Sequence, residues 1–233
     1  MKRAPADIFL VAGGRESRRR GGDPLLARIF SLIGLERPEV AYIGAASNDN
    51  RVFFKWINVM LKKAGAGNVR LAALASARAD LAKARQLLQG ADLIFVSGGD
   101  VEAGMNVLAR TGFSEMLREL HQAGKPFIGL SAGSIMLARC WVRWPDAGND
   151  AAAETFPCLG LAPLLCDTHA EKENWQELMA LLRLSGAEAG YGIPAGAALR
   201  VKPDGSLSAL GKAVPRFKFE DGRLELITDL NPV

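Results

Sequence analysis

One stretch, Pro126-Phe127-Ile128-Gly129-Leu130-Ser131-Ala132-Gly133-Ser134, constrains this chain more than any other. An apolar strand runs through G-x-S-x-G into a small-residue helix start. That is the sequence form of an elbow on an α/β sheet, where a serine is pushed out of a sharp strand-to-helix turn. Glycines at 129 and 133 admit neighbouring backbone where any Cβ would collide. The amide of Ala132 opens the helix, so its N–H is unpaired and faces any developing negative charge. A serine so placed is a candidate nucleophile. The chain must then supply a base, an acid and a second oxyanion donor.

The surrounding pattern supplies the sheet. Short apolar runs at 8–12, 40–43, 69–74 and 93–96, and the elbow strand itself, read as strands. Between them, helical patterns cover 24–33, 51–63, 80–88, 101–109 and 113–122. Asp23 followed by Pro24 reads as an N-cap and first helical residue. Such alternation implies a mostly parallel sheet covered on both faces. Residues 141–168 read as irregular, with Pro145, Pro157 and Pro163, and 171–184 as a further helix. From 191 to 227, the turn signals Pro203-Asp204-Gly205 and Glu220-Asp221-Gly222 read as β-hairpins. The expected fold is α/β: a three-layer α/β/α sandwich with a mostly parallel sheet and β-hairpins near the C-terminus. A length of 233 residues, 49% of them hydrophobic, suits a single domain over 1–233.

Several functions are disfavoured. The net charge of +4 is spread along the chain, and Arg18-Arg19-Arg20 is its only basic cluster, so no nucleic-acid partner is expected. No apolar run approaches the ~20 residues of a membrane span. The run at 8–12 is followed at once by Gly13-Gly14-Arg15, which fits a first buried strand better than a signal peptide. Cys140, Cys158 and Cys166 are odd in number and lack metal-site spacing. Reduced thiols in a cytoplasmic protein, with no metal and no cofactor, are the expectation.

The base is chosen from two histidines. His121 sits near the end of an amphipathic helix, an ordinary surface place, whereas His169 lies at a loop edge after the elbow. His169 is therefore the candidate base. Asp146, Asp150 and Asp167 are the candidate acids, and the residues alone leave the three open. Ser97-Gly98-Gly99-Asp100 ends a strand at the same sheet edge and exposes backbone amides there, although Asp100 reads equally well as a plain N-cap. Arg15, Arg18 and Arg143 are loop arginines available to an acidic substrate group.

Together these pieces resemble peptidase family S51, the dipeptidase E and cyanophycinase family. The matching residues are Gly98-Gly99-Asp100, Gly129-Leu130-Ser131-Ala132-Gly133, Asp146, His169 and Gly192-Ile193-Pro194. The resemblance implies a class I glutamine-amidotransferase-like fold and a serine exopeptidase without a cofactor, monomeric or homodimeric. It implies a triad of Ser131, His169 and Asp146, with Gly99 and Ala132 as the oxyanion hole. Gly98, Asp100 and Arg15 would touch a small acidic peptide, either an Asp-X dipeptide or a β-aspartyl-arginine type. Leu130, Ser134, Ala170 and Ala195 depart from the family pattern and bear on the substrate pocket. Two alternatives stand beside this reading. An α/β-hydrolase esterase shares the G-x-S-x-G pattern but normally has strand–helix units between serine and acid, for which 15 residues leave no room. The other is a silent amidotransferase-like binding module. A true glutamine amidotransferase would carry cysteine at the elbow.

Overall fold

The structure is a computed structural model that describes residues 5–13, 22–146 and 149–233. Arg15 and Arg18 lie outside the described residues, as does the side chain of Asp150. The first half runs β1 (Ile8–Val11), α1 (Pro24–Ile33), β2 (Val40–Ile43), α2 (Arg51–Ala64), β3 (Val69–Ala72) and α3 (Leu81–Gly90). It continues through β4 (Leu93–Val96), α4 (Val101–Thr111), α5 (Phe113–Gln122), β5 (Phe127–Leu130) and α6 (Ala132–Leu137). Asp23, Asn50, Asp80 and Asp100 cap their helices by accepting hydrogen bonds from first-turn amides.

Strands β1, β5, β4, β2 and β3 pair in parallel, in that order. Side chains alternate between two cores, as a period of two requires. Phe9, Val11, Tyr42, Phe95 and Ile128 pack with α1 and α2 through Ile29, Ile57 and Leu61. Ile8, Leu10, Ile43, Val96 and Phe127 face the other layer, meeting Leu88, Leu108, Leu117 and Leu137. Buried on both faces, β1, β2, β4 and β5 read as continuous apolar runs for that reason, whereas edge strand β3 exposes Arg70.

The second half runs β6 (Cys140–Arg143), β7 (Glu154–Pro157), β8 (Cys166–Thr168), α7 (Gln176–Ser185), β9 (Gly190–Ile193), β10 (Ala198–Val201), β11 (Leu207–Leu210), β12 (Val214–Glu220) and β13 (Arg223–Leu230). The β10–β11 hairpin, turned at 203–205, extends the central sheet antiparallel to β1. The β12–β13 hairpin turns at Asp221 and Gly222, both with positive φ. It joins β9 and β8 in a separate four-stranded sheet.

Two expectations need correction. The stretch 141–168 is not irregular throughout, because β6 and β7 pair, with Trp141 opposite Phe156 and Arg143 opposite Glu154. Cross-strand pairing over that separation leaves no short-range pattern to read. The helix expected at 171–184 starts only at Gln176. Asn174 and Trp175 both adopt positive φ, which ends any helical path before them. In exchange, the Trp175 ring is buried against Gly192, where a Cβ would come within 2.8 Å of it.

The elbow depends on close backbone packing. A Cβ on Gly133 would lie 2.1 Å from the Val96 carbonyl oxygen, a collision with main chain that cannot swing aside. Gly133→Ala is expected to destabilise the protein by about 1–3 kcal/mol or more in urea unfolding. Gly90→Ala, facing open space at the end of α3, is expected to be neutral or stabilising by less than about 1 kcal/mol.

Candidate active site

The carboxyl ends of β1, β5, β4 and β2 gather at one edge of the sheet, where open α/β sheets place their ligands. Ser131 follows β5 with φ 53° and ψ −122°, outside the regions that L-residues favour. Its amide donates to the Val11 carbonyl at 2.8 Å, and the buried Ser134 hydroxyl donates to the same oxygen at 3.0 Å. These two bonds tie the turn to β1. Ser131 is therefore presented at the edge, half-buried, by backbone held on both sides.

The 97–100 loop closes beside it. Gly99 has φ 146°, and a Cβ there would sit 2.0 Å from the Ala46 carbonyl oxygen. Asp100 N donates to that same oxygen at 2.8 Å, so the loop lies flush on the short turn at Ala45–Ser47. A Cβ on Gly98 would come within 3.1 Å of the Ser131 Cβ, so side-chain-free backbone is what fits beside Ser131. Among the described residues the Gly99 amide has no backbone acceptor, and the Ala132 amide is the first of α6, without an intrahelical one. Asp100 serves as the N-cap of α4 through Ala103 N at 2.7 Å and also lines the cleft.

His169 arrives from the other sheet. It follows β8 directly with φ 48°, and its amide donates to the Ile193 carbonyl at 2.9 Å. Its Nε2 lies 2.8 Å from Ser131 Oγ, within hydrogen-bond reach. For Nε2 to accept the hydroxyl proton, Nδ1 must carry the ring hydrogen. His121 plays a structural part: its Nε2 bonds the Ala6 carbonyl at 2.9 Å, its ring meets Phe127 edge-on, and burial lowers its pKa.

The pair opens into a cleft of about 470 Å3. A slightly larger cavity, about 530 Å3 near Arg139, Tyr191 and Arg216, has no serine, cysteine or histidine in its wall. Asp146 is exposed on the turn after β6, is not part of the cleft wall, and forms no hydrogen bond to His169 among the described residues. Arg143 also lies outside the wall, paired with Glu102 at 2.5 Å and Glu154 at 2.7 Å. Asp167, one residue into β8, does line the cleft and is only 6% exposed. Burial pushes its pKa up to about 7, the charge of Glu177 adds to the rise, and Glu173 contributes further. The nearby amides of Thr168 and Leu178 partly offset this.

Sequence reasoning missed Trp141, Glu173, Gln176 and Glu177, which also line the cleft. The carboxylates after His169 were the available signal, but a helix reading assigns such charges to a solvated face. The three thiols are free, and burial pushes Cys158 up to about 12 and raises Cys166 as well. The thiolate forms of Cys158 and Cys166 are strongly disfavoured, so these two make poor nucleophiles. No group of metal-ligating side chains and no helix long and apolar enough to cross a membrane occurs among the described residues.

Known proteins resemble this chain over most of its length. Cyanophycinase from Trichormus variabilis is 24% identical over 216 residues, covering 90% of this chain and 72% of its own. Peptidase E from Shewanella denitrificans is 44% identical over 85 residues, 36% of each chain. The crystal structure of a peptidase from an acI-B1 Actinobacterium superposes with a TM-score of 0.75 at 17% identity, over 98% of this chain and 96% of that one. The model for peptidase family S51 matches residues 8–208. The serine elbow, the sheet order and this match agree: the chain belongs to peptidase family S51, as a serine-type peptidase.

Proposed function

We propose that this peptidase hydrolyses small aspartyl-containing peptides, Asp-X dipeptides or the β-aspartyl-arginine type, through an acyl-enzyme. The observation that carries the reading is the 2.8 Å contact between Ser131 Oγ and His169 Nε2 at a strained elbow. In the proposed reaction the Ser131 hydroxyl proton passes to His169 Nε2 as Oγ bonds to the scissile carbonyl carbon. The Gly99 and Ala132 amides donate to the oxyanion, whose charge exists only in the tetrahedral state. On collapse the C–N bond breaks, and His169 returns the proton to the leaving amine. Water, deprotonated by His169, then cleaves the ester and restores the serine.

The aspartyl preference follows from the family resemblance. Arg15, outside the described residues, is the proposed partner for the substrate carboxylate, with Gly98 and Asp100 at the cleft edge. Asp146 is carried as the acid for the imidazole on its family-like distance of 15 residues from the serine. Its exposed position lends that role no support, so a variant must decide it.

Ser131→Ala is expected to fold normally by circular dichroism and to lose turnover on the order of 10⁴–10⁶-fold. Undiminished cleavage of every Asp-X and β-aspartyl-arginine substrate by that variant would refute the nucleophile. Asp146→Asn is expected to lower kcat on the order of 10⁴-fold if it orients the imidazole. A change below about tenfold removes Asp146 and leaves a Ser131–His169 dyad.

A further inference from the structure

We propose that the seam between the two larger sheets holds a second binding site, for a small organic anion whose carboxylate or phosphate is gripped by Arg139 and Arg216. The site goes beyond the peptidase reading, since it shares no wall residue with the Ser131 cleft.

The cavity forms where the two sheets meet. Val201 and Leu207 come from the β10–β11 hairpin of the central sheet, and Tyr191 and Arg216 from β9 and β12 of the smaller one. The loop after α7 closes it through Ala187 and Glu188. Leu165 lies in the wall just before β8, whereas His169 follows the other end of that strand. The cavity and the Ser131 cleft therefore sit at opposite ends of β8. A volume of about 530 Å3 falls within the range of small-molecule sites.

The cations of this wall lack a counter-charge within the protein. Arg70, Arg118, Arg143 and Arg200 each pair with a carboxylate. Neither Arg139 nor Arg216 makes a side-chain hydrogen bond or ion pair among the described residues. Glu188 shares the wall and yet pairs with neither. Arg216 is half-buried, on a strand flanked by β9 and β13. Its Nε is buried with no acceptor, so the fold leaves this guanidinium uncompensated. A partly desolvated cation without an anion is costly. The Nε itself is beyond a ligand's reach, but the terminal nitrogens are neither buried nor bonded, and an anion can meet them.

The rest of the wall fits the same chemistry. Tyr191 stands directly opposite Arg216 in the β9–β12 ladder, so both side chains leave the same face of the sheet. Its hydroxyl, also without a partner among the described residues, adds a donor. Guanidinium groups present paired N–H bonds that match the oxygens of a carboxylate or a phosphate. Leu164, Leu165, Val201 and Leu207 offer apolar surface to the body of such a ligand. A cationic ligand would meet two like charges, and a neutral one would leave both guanidinium groups unanswered.

Three ring compounds of similar shape supply the test: benzoate, phenyl phosphate, and benzamide, the neutral counterpart of benzoate. Amide NMR spectra of the full chain follow each titration near neutral pH at fixed ionic strength. Benzoate and phenyl phosphate are expected to bind with dissociation constants of about 0.1–10 mM. Their shifts should centre on residues 186–189 and 205–207. Benzamide is expected to bind at least about tenfold more weakly, and Arg139→Gln and Arg216→Gln should each weaken both anions about 10- to 100-fold. The tighter anion identifies the head group. Arg139 is exposed, so Arg139→Gln reads the site even where Arg216→Gln fails to fold. Shifts centred on Gly99, Ala132 and His169, or no saturable shift from either anion, overturn the site. So does benzamide binding as tightly as benzoate, or unaltered anion affinity in either folded variant. None of these readings depends on which peptide the enzyme cleaves.

Discussion

The turn at Ser131 depends on backbone meeting backbone with no side chain between. Gly133 lies so close to the Val96 carbonyl that a methyl group would overlap it. That contact lets α6 begin immediately after β5 and holds the serine at positive φ. The bonds from Ser131 N and Ser134 Oγ to Val11 secure the same turn from the β1 side. A serine on such a turn has little freedom to retreat, so its position at the cleft is fixed by folding.

The Ser131–His169 pair joins two sheets. Ser131 follows a strand of the parallel core, whereas His169 follows β8 of the smaller sheet built with β9, β12 and β13. That smaller sheet is stabilised by its own cluster, where Trp175, Leu178 and Leu182 of the α7 region pack with Leu165 and, at its edge, Phe217. Trp175 pays for its place with a left-handed backbone and lies over Gly192, one strand from Asp167. Disturbing this minor core would therefore displace both His169 and the acidic wall without touching the elbow.

Much of the fold was legible. Four of the five parallel strands, β1, β2, β4 and β5, appear as apolar runs because both of their faces are buried, and Asp23 and Asp100 mark the starts of their helices. The hairpin turns at 203–205 and at Asp221-Gly222 are also local, since a turn's dihedrals select its residues. The β6–β7 pairing and the late start of α7 were not legible. Pairing across a long loop leaves no period, and the break at Asn174 and Trp175 has no glycine or proline to announce it.

By itself, the sequence determined the nucleophile's turn, the candidate base and the layered α/β frame. Each of these depends on residues adjacent in the chain or repeated at a fixed period. Tertiary structure alone decided that His169 comes within hydrogen-bond distance of a serine 38 residues away, that Arg143 is spent on Glu102 and Glu154, and that Asp167 is buried in an acidic wall. Those outcomes depend on how the second sheet and α7 pack over the edge of the first. The free energy of a carboxylate is set by what surrounds it in space, and its neighbours in sequence do not specify that.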